Sequence, residues 1–495
     1  MWSVDPGAQI TLVAAMSIAG AATGQPPRAG AAWARGPLAP GHEQPGGVRV
    51  PGHRQRLFRG VLQPRRDPTY ILPNELPALC FLLSGRSRGS PSQSHGRLPT
   101  AMHLDFTPEQ QALRKEIRDY YKRLFTPELR AALDEEWHEV GGPIFRKVVG
   151  RMGADGWLGI GWPKRYGGQG RTPLEQFIFW DETYRARAPL PVIAINTIGP
   201  TLMEFGTEEQ KADLLPRILR GELFFAIGYT EPSAGTDLAS LKTRAVRDGD
   251  EYVINGQKIF TTHAQDAEYI WLAARTDPEA PKHKGISIIL VPTSSPGFSV
   301  TPIYTLGGER TNATYFDNVR VPVANRVGPE HAGWRLLTSQ LNHERITLAI
   351  PGLADRLLDD VWAWAARTPA AGGGRVLDEP WVQLTLARVY AKLDALKVLN
   401  WRSAWSISAG VPNMAEASAV KVMGTEFFVE CYRLLLEIVG AGGTIRAGET
   451  GALFGGLLEQ AYRGATTLTF GGGVNEVQRD IIAMAGLGLP RAQRG

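Results

Sequence analysis

The sequence predicts a mostly helical protein with a central antiparallel β-domain, in the order helices, strands, helices. Three observations carry that prediction. Apolar residues recur at helical spacing from Met102 to about Arg220 and again after Gly333. Between Phe224 and about Val327 the period shortens to that of strands, as in Tyr252-Val253-Ile254, Tyr269-Ile270-Trp271-Leu272 and Ile286-Ser287-Ile288-Ile289-Leu290-Val291. Asp-Gly, Asn-Gly and Pro-Gly pairs punctuate this middle region in the manner of tight turns.

The first 101 residues stand apart. They hold eleven Arg, four acids and no Lys, and are rich in Pro, Gly and Ser with no sustained period. Such a segment cannot bury enough apolar surface to offset its ordering entropy. A secretory signal fits poorly, because Asp5 replaces the basic start and Ser and Gly interrupt the apolar stretch from Ile10 to Ala22. A transit peptide would share the Arg-rich, acid-poor composition but should be amphipathic. The reading that fits is a disordered leader or start-site artefact over 1–101, with the folded chain starting at Met102.

Beyond it, Thr107-Pro108-Glu109 offers an N-cap, a proline at the first helical position and an acid in the first turn. This opens an N-terminal helical domain over 102–223, interrupted by the glycine-rich loop Gly161 to Gly170. The middle β-domain spans 224–330. A C-terminal helical domain spans 331–495, with glycine-rich joints at 371–374 and 440–443.

Composition excludes several functions. The whole chain carries a formal net charge of +5, but residues after 101 hold 43 basic against 45 acidic side chains. No cationic stripe is left to bind nucleic acid or an anionic membrane. Cys80 and Cys431 lie far apart in unlike contexts, which excludes a disulfide framework or a zinc site, and no metal is expected. No run of eighteen apolar residues occurs, so no integral membrane segment is expected. A soluble, reducing, cytoplasmic setting fits.

The densest chemical signal is Tyr229-Thr230-Glu231-Pro232-Ser233-Ala234-Gly235-Thr236-Asp237, a strand running into a turn with clustered hydroxyls and backbone amides. Such a turn can bond the edge of a planar heterocycle, or it can be an ordinary capped turn. About twenty residues on, the stretch from Tyr252 through Asn255-Gly256-Gln257-Lys258-Ile259-Phe260-Thr261-Thr262 ends in an aromatic and two hydroxyls. A third feature lies after Gly333, where Trp334, Leu337, Leu341 and Leu348 form an apolar helical stripe and Glu344 falls among them. A carboxylate desolvated there should have a raised pKa suited to a general base. Spacing alone leaves open a Glu ion-paired with Arg345 or a neighbouring helix.

Together the two motif segments resemble the flavin-contacting pair of the acyl-CoA dehydrogenase family, and the resemblance runs from Met102 to about Arg494. It implies an N-terminal helical domain, a β-barrel-like middle domain and a C-terminal helical bundle. It implies an FAD site made by Tyr229, Thr230, Thr236, Phe260, Thr261, Thr262, Gly473 and Asn475, with Phe260 in place of the family's Trp beside the ring. The family places its base either in a C-terminal loop or before Arg in the helix after Gly333. Here the loop reads Phe470-Gly471-Gly472-Gly473-Val474-Asn475-Glu476, with Gly472 at the usual Glu position, whereas Asn342-His343-Glu344-Arg345 matches the alternative. The resemblance therefore names Glu344 as base, with Asn342, Arg345 and Thr236 on the acyl-CoA substrate and Glu476 as a helix-start residue. It implies that the thioester carbonyl is polarised by a flavin hydroxyl and the base's own backbone N–H. Electrons would pass to an electron-transferring flavoprotein.

Two departures bear on assembly. The segment Gly372-Gly373-Gly374-Arg375-Val376-Leu377-Asp378-Glu379-Pro380 lacks the Phe-Gly that grips a neighbouring subunit's flavin in homotetrameric members, and Glu437 replaces a Gln. An added acid near phosphates is unfavourable. The pattern is similar to a heteromeric actinobacterial branch that shortens steroid side chains, as in cholesterol catabolism, and it implies a second dehydrogenase-like subunit in a heterotetramer. Gly471 to Gly473 would leave room for a bulky acyl group. Two alternatives stand beside this one: a non-catalytic scaffold subunit that completes a partner's flavin site, and an oxidase or monooxygenase on the same fold.

Overall fold

The computed structural model describes residues 105–136, 141–347 and 349–490, with side chains described for 105–136, 141–340 and 349–490. The expected leader over 1–101 lies outside the described residues. The chain enters through α1 (Pro108–Leu124), where Thr107 accepts from Gln110 N and the Gln110 side chain returns to Thr107 N. This capping box satisfies two otherwise orphaned amides and is worth about 1 kcal/mol. Helices α2 (Pro127–Glu135), α3 (Pro143–Ala154) and α4 (Pro173–Ala186) follow. A π-helical turn at Ile193–Ile198 leads into α5 (Gly199–Phe205) and α6 (Glu208–Leu219).

The middle region forms one sheet from β1 (Phe225–Gly228), β2 (Arg244–Asp248), β3 (Glu251–Lys258), β4 (Tyr269–Arg275), β5 (Ile286–Pro292), β6 (Phe298–Tyr304), β7 (Arg310–Pro322) and β8 (Arg326–Val327). Its order is β6-β7-β3-β2-β4-β5-β8, with β1 added to β4. Antiparallel pairing dominates, as the turn signals predict, but β1 runs parallel to β4, Phe225 facing Tyr269 and Gly228 facing Leu272. No hairpin joins these two strands: the β2–β3 pair lies between them in sequence, and a crossover of that length permits parallel pairing. β2 meets β4 farther along, Arg244 opposite Arg275. Residues 229–243 are thus an excursion between two strands that share β4 as partner.

β4 is covered on both faces, which explains its nearly unbroken apolar run. Trp271 and Ala273 join a core shared with α1, α3, α4 and α6, while Ile270, Leu272 and Ala274 face the opposite way with Tyr252, Ile254 and Val319.

Helices resume with α7 (Gly333–Thr347), α8 (Gly352–Ala365), α9 (Pro380–Ser408), α10 (Met414–Val439), α11 (Leu457–Leu468) and α12 (Asn475–Ile481). α8 presses on α4 so closely that a Cβ at Gly352 would come 2.0 Å from the Asp181 carbonyl oxygen. Charges pin the same junction: Asp355 accepts from Arg185 at 2.5 Å and from Lys397 on α9 at 2.6 Å. Asp181 lies buried nearby with Oδ1 unpartnered, and burial, then the charge of Glu182, pushes its carboxyl up to about 7.

Candidate active site

The two motif segments read from the sequence meet in space. The Thr230 carbonyl, just past β1, accepts from Ile259 N, just past β3, at 2.8 Å. One residue on, Glu231 accepts from the amides of Lys242 (2.7 Å) and Thr243 (2.8 Å) and pairs with Lys258 Nζ at 2.8 Å. Burial alone would raise the Glu231 carboxyl, but the Lys258 ammonium and these amides outweigh it and hold it below its ordinary value. Lys258 also donates to the Tyr229 carbonyl at 3.1 Å. Glu231 and Lys258 were not singled out in the sequence, although both sit inside the motifs; their pairing is what makes the two motifs one unit.

Tyr229 turns its ring into the core. Its hydroxyl accepts from Trp271 Nε1 at 3.0 Å and donates to Gln340 Oε1 on α7. Gln340 is fully buried and its Nε2 has no partner. An indole is only a donor, which fixes the direction of this chain of bonds from β4 through β1 to α7.

Past β3 the chain makes a tight turn. Phe260 adopts φ +59° and is 58 % exposed, an uncommon backbone for a bulky residue and an uncommon exposure for its ring. Thr262 N donates to the Phe260 carbonyl at 3.1 Å, and Thr262 Oγ1 donates to Thr311 Oγ1 at 3.1 Å. Thr261 is fully buried: its N donates to the Asn312 carbonyl at 2.9 Å, its carbonyl accepts from Asn312 Nδ2 at 3.1 Å, and its hydroxyl meets Thr314. β7 therefore backs this turn through Thr311, Asn312 and Thr314, residues whose role no local sequence signal showed. Thr236 lies exposed on the excursion between β1 and β2. The hydroxyls of Thr230 and Thr236 have no protein partner among the described residues.

The backbone of Asn342, Glu344 and Arg345 is helical, in the last two turns of α7, while their side chains lie outside the described residues. Gly473 has φ +100° in the loop before α12. Asn475 is buried, accepting from Lys421 at 2.7 Å and donating to Thr425 and Glu426 at 3.1 Å each. Its amide is fully occupied in holding the loop. At the sites of the two departures, Arg375 bonds Asp378 and Glu437 bonds Arg433. Among the described residues, no cluster of His, Cys, Asp and Glu could hold a metal, and no helix is long and apolar enough to cross a membrane.

Comparison with known proteins follows the same division. Residues 107–222 match the description "Acyl-CoA dehydrogenase, N-terminal domain", 226–319 the middle domain and 331–487 the C-terminal domain. The chain is 54% identical to the acyl-CoA dehydrogenase FadE26 of Mycobacterium tuberculosis over 401 residues, 79% of this chain and 100% of the relative. Among solved structures it resembles the Tcur3481-Tcur3483 steroid ACAD, with 54% identity, a TM-score of 0.75, and coverage of 79% of this chain and 100% of that one. It also resembles the ChsE4-ChsE5 complex from Mycobacterium tuberculosis, with 54% identity, a TM-score of 0.74 and the same coverage. With all three domains of one family matched in their order, and with relatives aligned along their full length, the chain belongs to the acyl-CoA dehydrogenase family.

Proposed function

We propose that this acyl-CoA dehydrogenase oxidises the Cα–Cβ bond of a bulky, steroid-type acyl-CoA to the trans-2-enoyl thioester, with Glu344 as base and an FAD site completed by a second dehydrogenase-like subunit. The observation that carries the reading is the exchange of the two possible base positions: glycine at 472 in the loop, and a glutamate at 344 on α7. The relatives named for steroid chemistry, and for a complex of two proteins, support the substrate class and the partner.

The corner fits a flavin. The exposed Phe260 ring supplies an apolar face, and the unpartnered hydroxyls of Thr230 and Thr236 supply polar contacts at its rim. Thr230, Thr236, Phe260, Thr262 and Gly473 would hold it, with Tyr229, Thr261 and Asn475, buried and bonded within the protein, shaping the corner and the loop. When bound, the flavin supplies the acceptor for the hydride that leaves Cβ. Glu344 takes the pro-R proton from Cα, the C–H bond at Cβ breaks with its electron pair, and the Cα=Cβ double bond forms. Asn342 and Arg345 hold the coenzyme A thioester. An electron-transferring flavoprotein in the cytoplasm would take up the electron pair.

A face of α9 supports the partner. Leu384, Val398 and Trp405 are exposed apolar residues along it, surface that a second subunit would cover.

Replacing Glu344 by Gln and mixing the flavin-loaded complex anaerobically with acyl-CoA tests the base. Flavin bleaching slowed by about 10²–10⁴-fold is expected; an unchanged rate would favour the scaffold reading. One FAD per pair of unlike chains is expected, and one FAD per chain in a pure homotetramer would refute the heteromer. Hydrogen peroxide output in place of transfer to a dye acceptor would mark an oxidase.

A further inference from the structure

Lys421 stands on α10, fully buried, and its ammonium makes three bonds to one short stretch of chain. It donates to the carbonyls of Thr469 (3.0 Å) and Gly473 (2.8 Å) and to Asn475 Oδ1 (2.7 Å). Taking an ammonium out of water costs several kcal/mol, so bonds of this kind hold their acceptors firmly. The acceptors flank the glycine run on both sides.

The carbonyl and N–H of one peptide unit point in opposite directions. Drawing the Gly473 carbonyl to Lys421 therefore turns the Val474 N–H away from it. Phe470 N and Gly471 N donate to the Thr467 carbonyl, and Asn475 N donates to the Thr469 carbonyl. The N–H groups of Gly472, Gly473 and Val474, by contrast, have no protein acceptor among the described residues. Left-handed backbone at Gly472 and Gly473, φ +64° and +100°, is the kind of conformation that gathers successive amides into an acceptor-binding concavity.

Two further observations point to the same place. Gln478 is fully buried, its Oε1 accepts from Ser418 at 2.9 Å, and its Nε2 has no partner. A Cβ on Gly473 would sit 2.8 Å from that Nε2, so a second unpartnered donor lies against the loop. One turn beyond Lys421, Gly424 abuts the chain leaving α7: a Cβ there would come 2.6 Å from the Ala349 Cβ. Adjacent turns of α10 thus hold the glycine loop and the segment that follows Glu344.

Polarising the thioester carbonyl needs a donor from outside α7. Residue 344 lies inside that helix, where backbone N–H groups belong to the helical ladder, which favours a donor beyond the amide that the resemblance implied.

We propose that Lys421 is a positioning residue of the dehydrogenation: it fixes the 472–474 loop so that its unpartnered amides form the donor edge that meets the thioester oxygen of the acyl-CoA. This rests on the reading of Glu344 as base. As negative charge develops on that oxygen, donors already aimed at it lower the barrier, and a loop free to relax would not.

The test uses the flavin-loaded complex with Lys421→Met, which removes all the bonds, and Lys421→Gln, which restores some. In Lys421→Met, flavin reduction by acyl-CoA is expected to slow by about 10²-fold with little change in substrate affinity, and Lys421→Gln to recover part of it. The infrared carbonyl stretch of a bound, carbonyl-labelled enoyl-CoA should move back toward its value in water in Lys421→Met. A wild-type rate and stretch, or a rate loss matching the loss of bound flavin, overturns the proposal. If Lys421→Met does not fold, Asn475→Ala withdraws one of the acceptors and carries the same two readings. Glu344→Gln separates the two ideas: it should slow reduction by about 10²–10⁴-fold while keeping the carbonyl shift, whereas a Glu344→Gln enzyme with the parent's rate would sink the base and leave the carbonyl reading to judge Lys421.

Discussion

Lys258 Nζ lies 2.8 Å from Glu231 Oε1, and the side chains are 0 % and 5 % exposed. This ion pair joins the turn after β1 to the end of β3, and removing one partner leaves a buried charge alone. Lys258→Met should lower stability by about 3–5 kcal/mol, read from urea unfolding. The same variant should purify with less flavin. Full flavin content at a stability within about 1 kcal/mol of the parent would show that the pair does not organise the corner.

Phe260 holds a left-handed backbone with its ring mostly in solvent, so the fold gains little from it. Strain of this kind costs about 1–3 kcal/mol and is kept where function requires it. Phe260→Gly is expected to leave the melting temperature unchanged or raised while flavin affinity falls. A variant that melts lower and binds flavin normally would reverse both halves of that expectation.

Asp181 gives a pH dependence with a definite sign. Its carboxyl is pushed up to about 7 by burial first and then by Glu182, so between about pH 4 and 7 the folded chain holds a proton that the unfolded chain has released. Its contribution to stability therefore falls as pH rises through that window, by on the order of 1.4 kcal/mol for each step of one in pH. Asp181→Asn should gain stability relative to the parent at pH 8 and show little difference at pH 4. Equal unfolding midpoints at both pH values would mean that the carboxyl titrates normally.

Gly424 touches Ala349 with no room for a side chain. Gly424→Val should push α10 from the exit of α7 and destabilise the fold by about 1–3 kcal/mol. Flavin reduction should slow as well, because the glycine loop and the helix proposed to carry the base are both held from α10. Loss of stability with an intact reduction rate in the surviving folded enzyme would confine the contact to packing.

Much of this was legible in the sequence. The switch from helical to strand period and back marks β1 and α7 to within a few residues, and Thr107 caps α1 where its Pro-Glu neighbours predict. The Thr230 and Lys258 motifs were visible as strings, yet their bond was not, because pairing across 27 residues is a property of the sheet. The parallel course of β1 was missed for a similar reason: turn signals report hairpins and say nothing of crossovers. Lys421 left no mark at all. In a helical pattern a lysine reads as a solvated position, and only the packed loop of residues 469–475 shows that this one faces inward.

The excursion that carries Thr230 and Thr236 hangs from β4 at both ends, since β1 and β2 each dock on that strand. A growing polypeptide therefore cannot shape this excursion until residues 269–275 have been added to the sheet. Yellow colour in the complex with its partner would accordingly report that the sheet has closed, and truncation before that strand should yield colourless material however well the preceding helices fold.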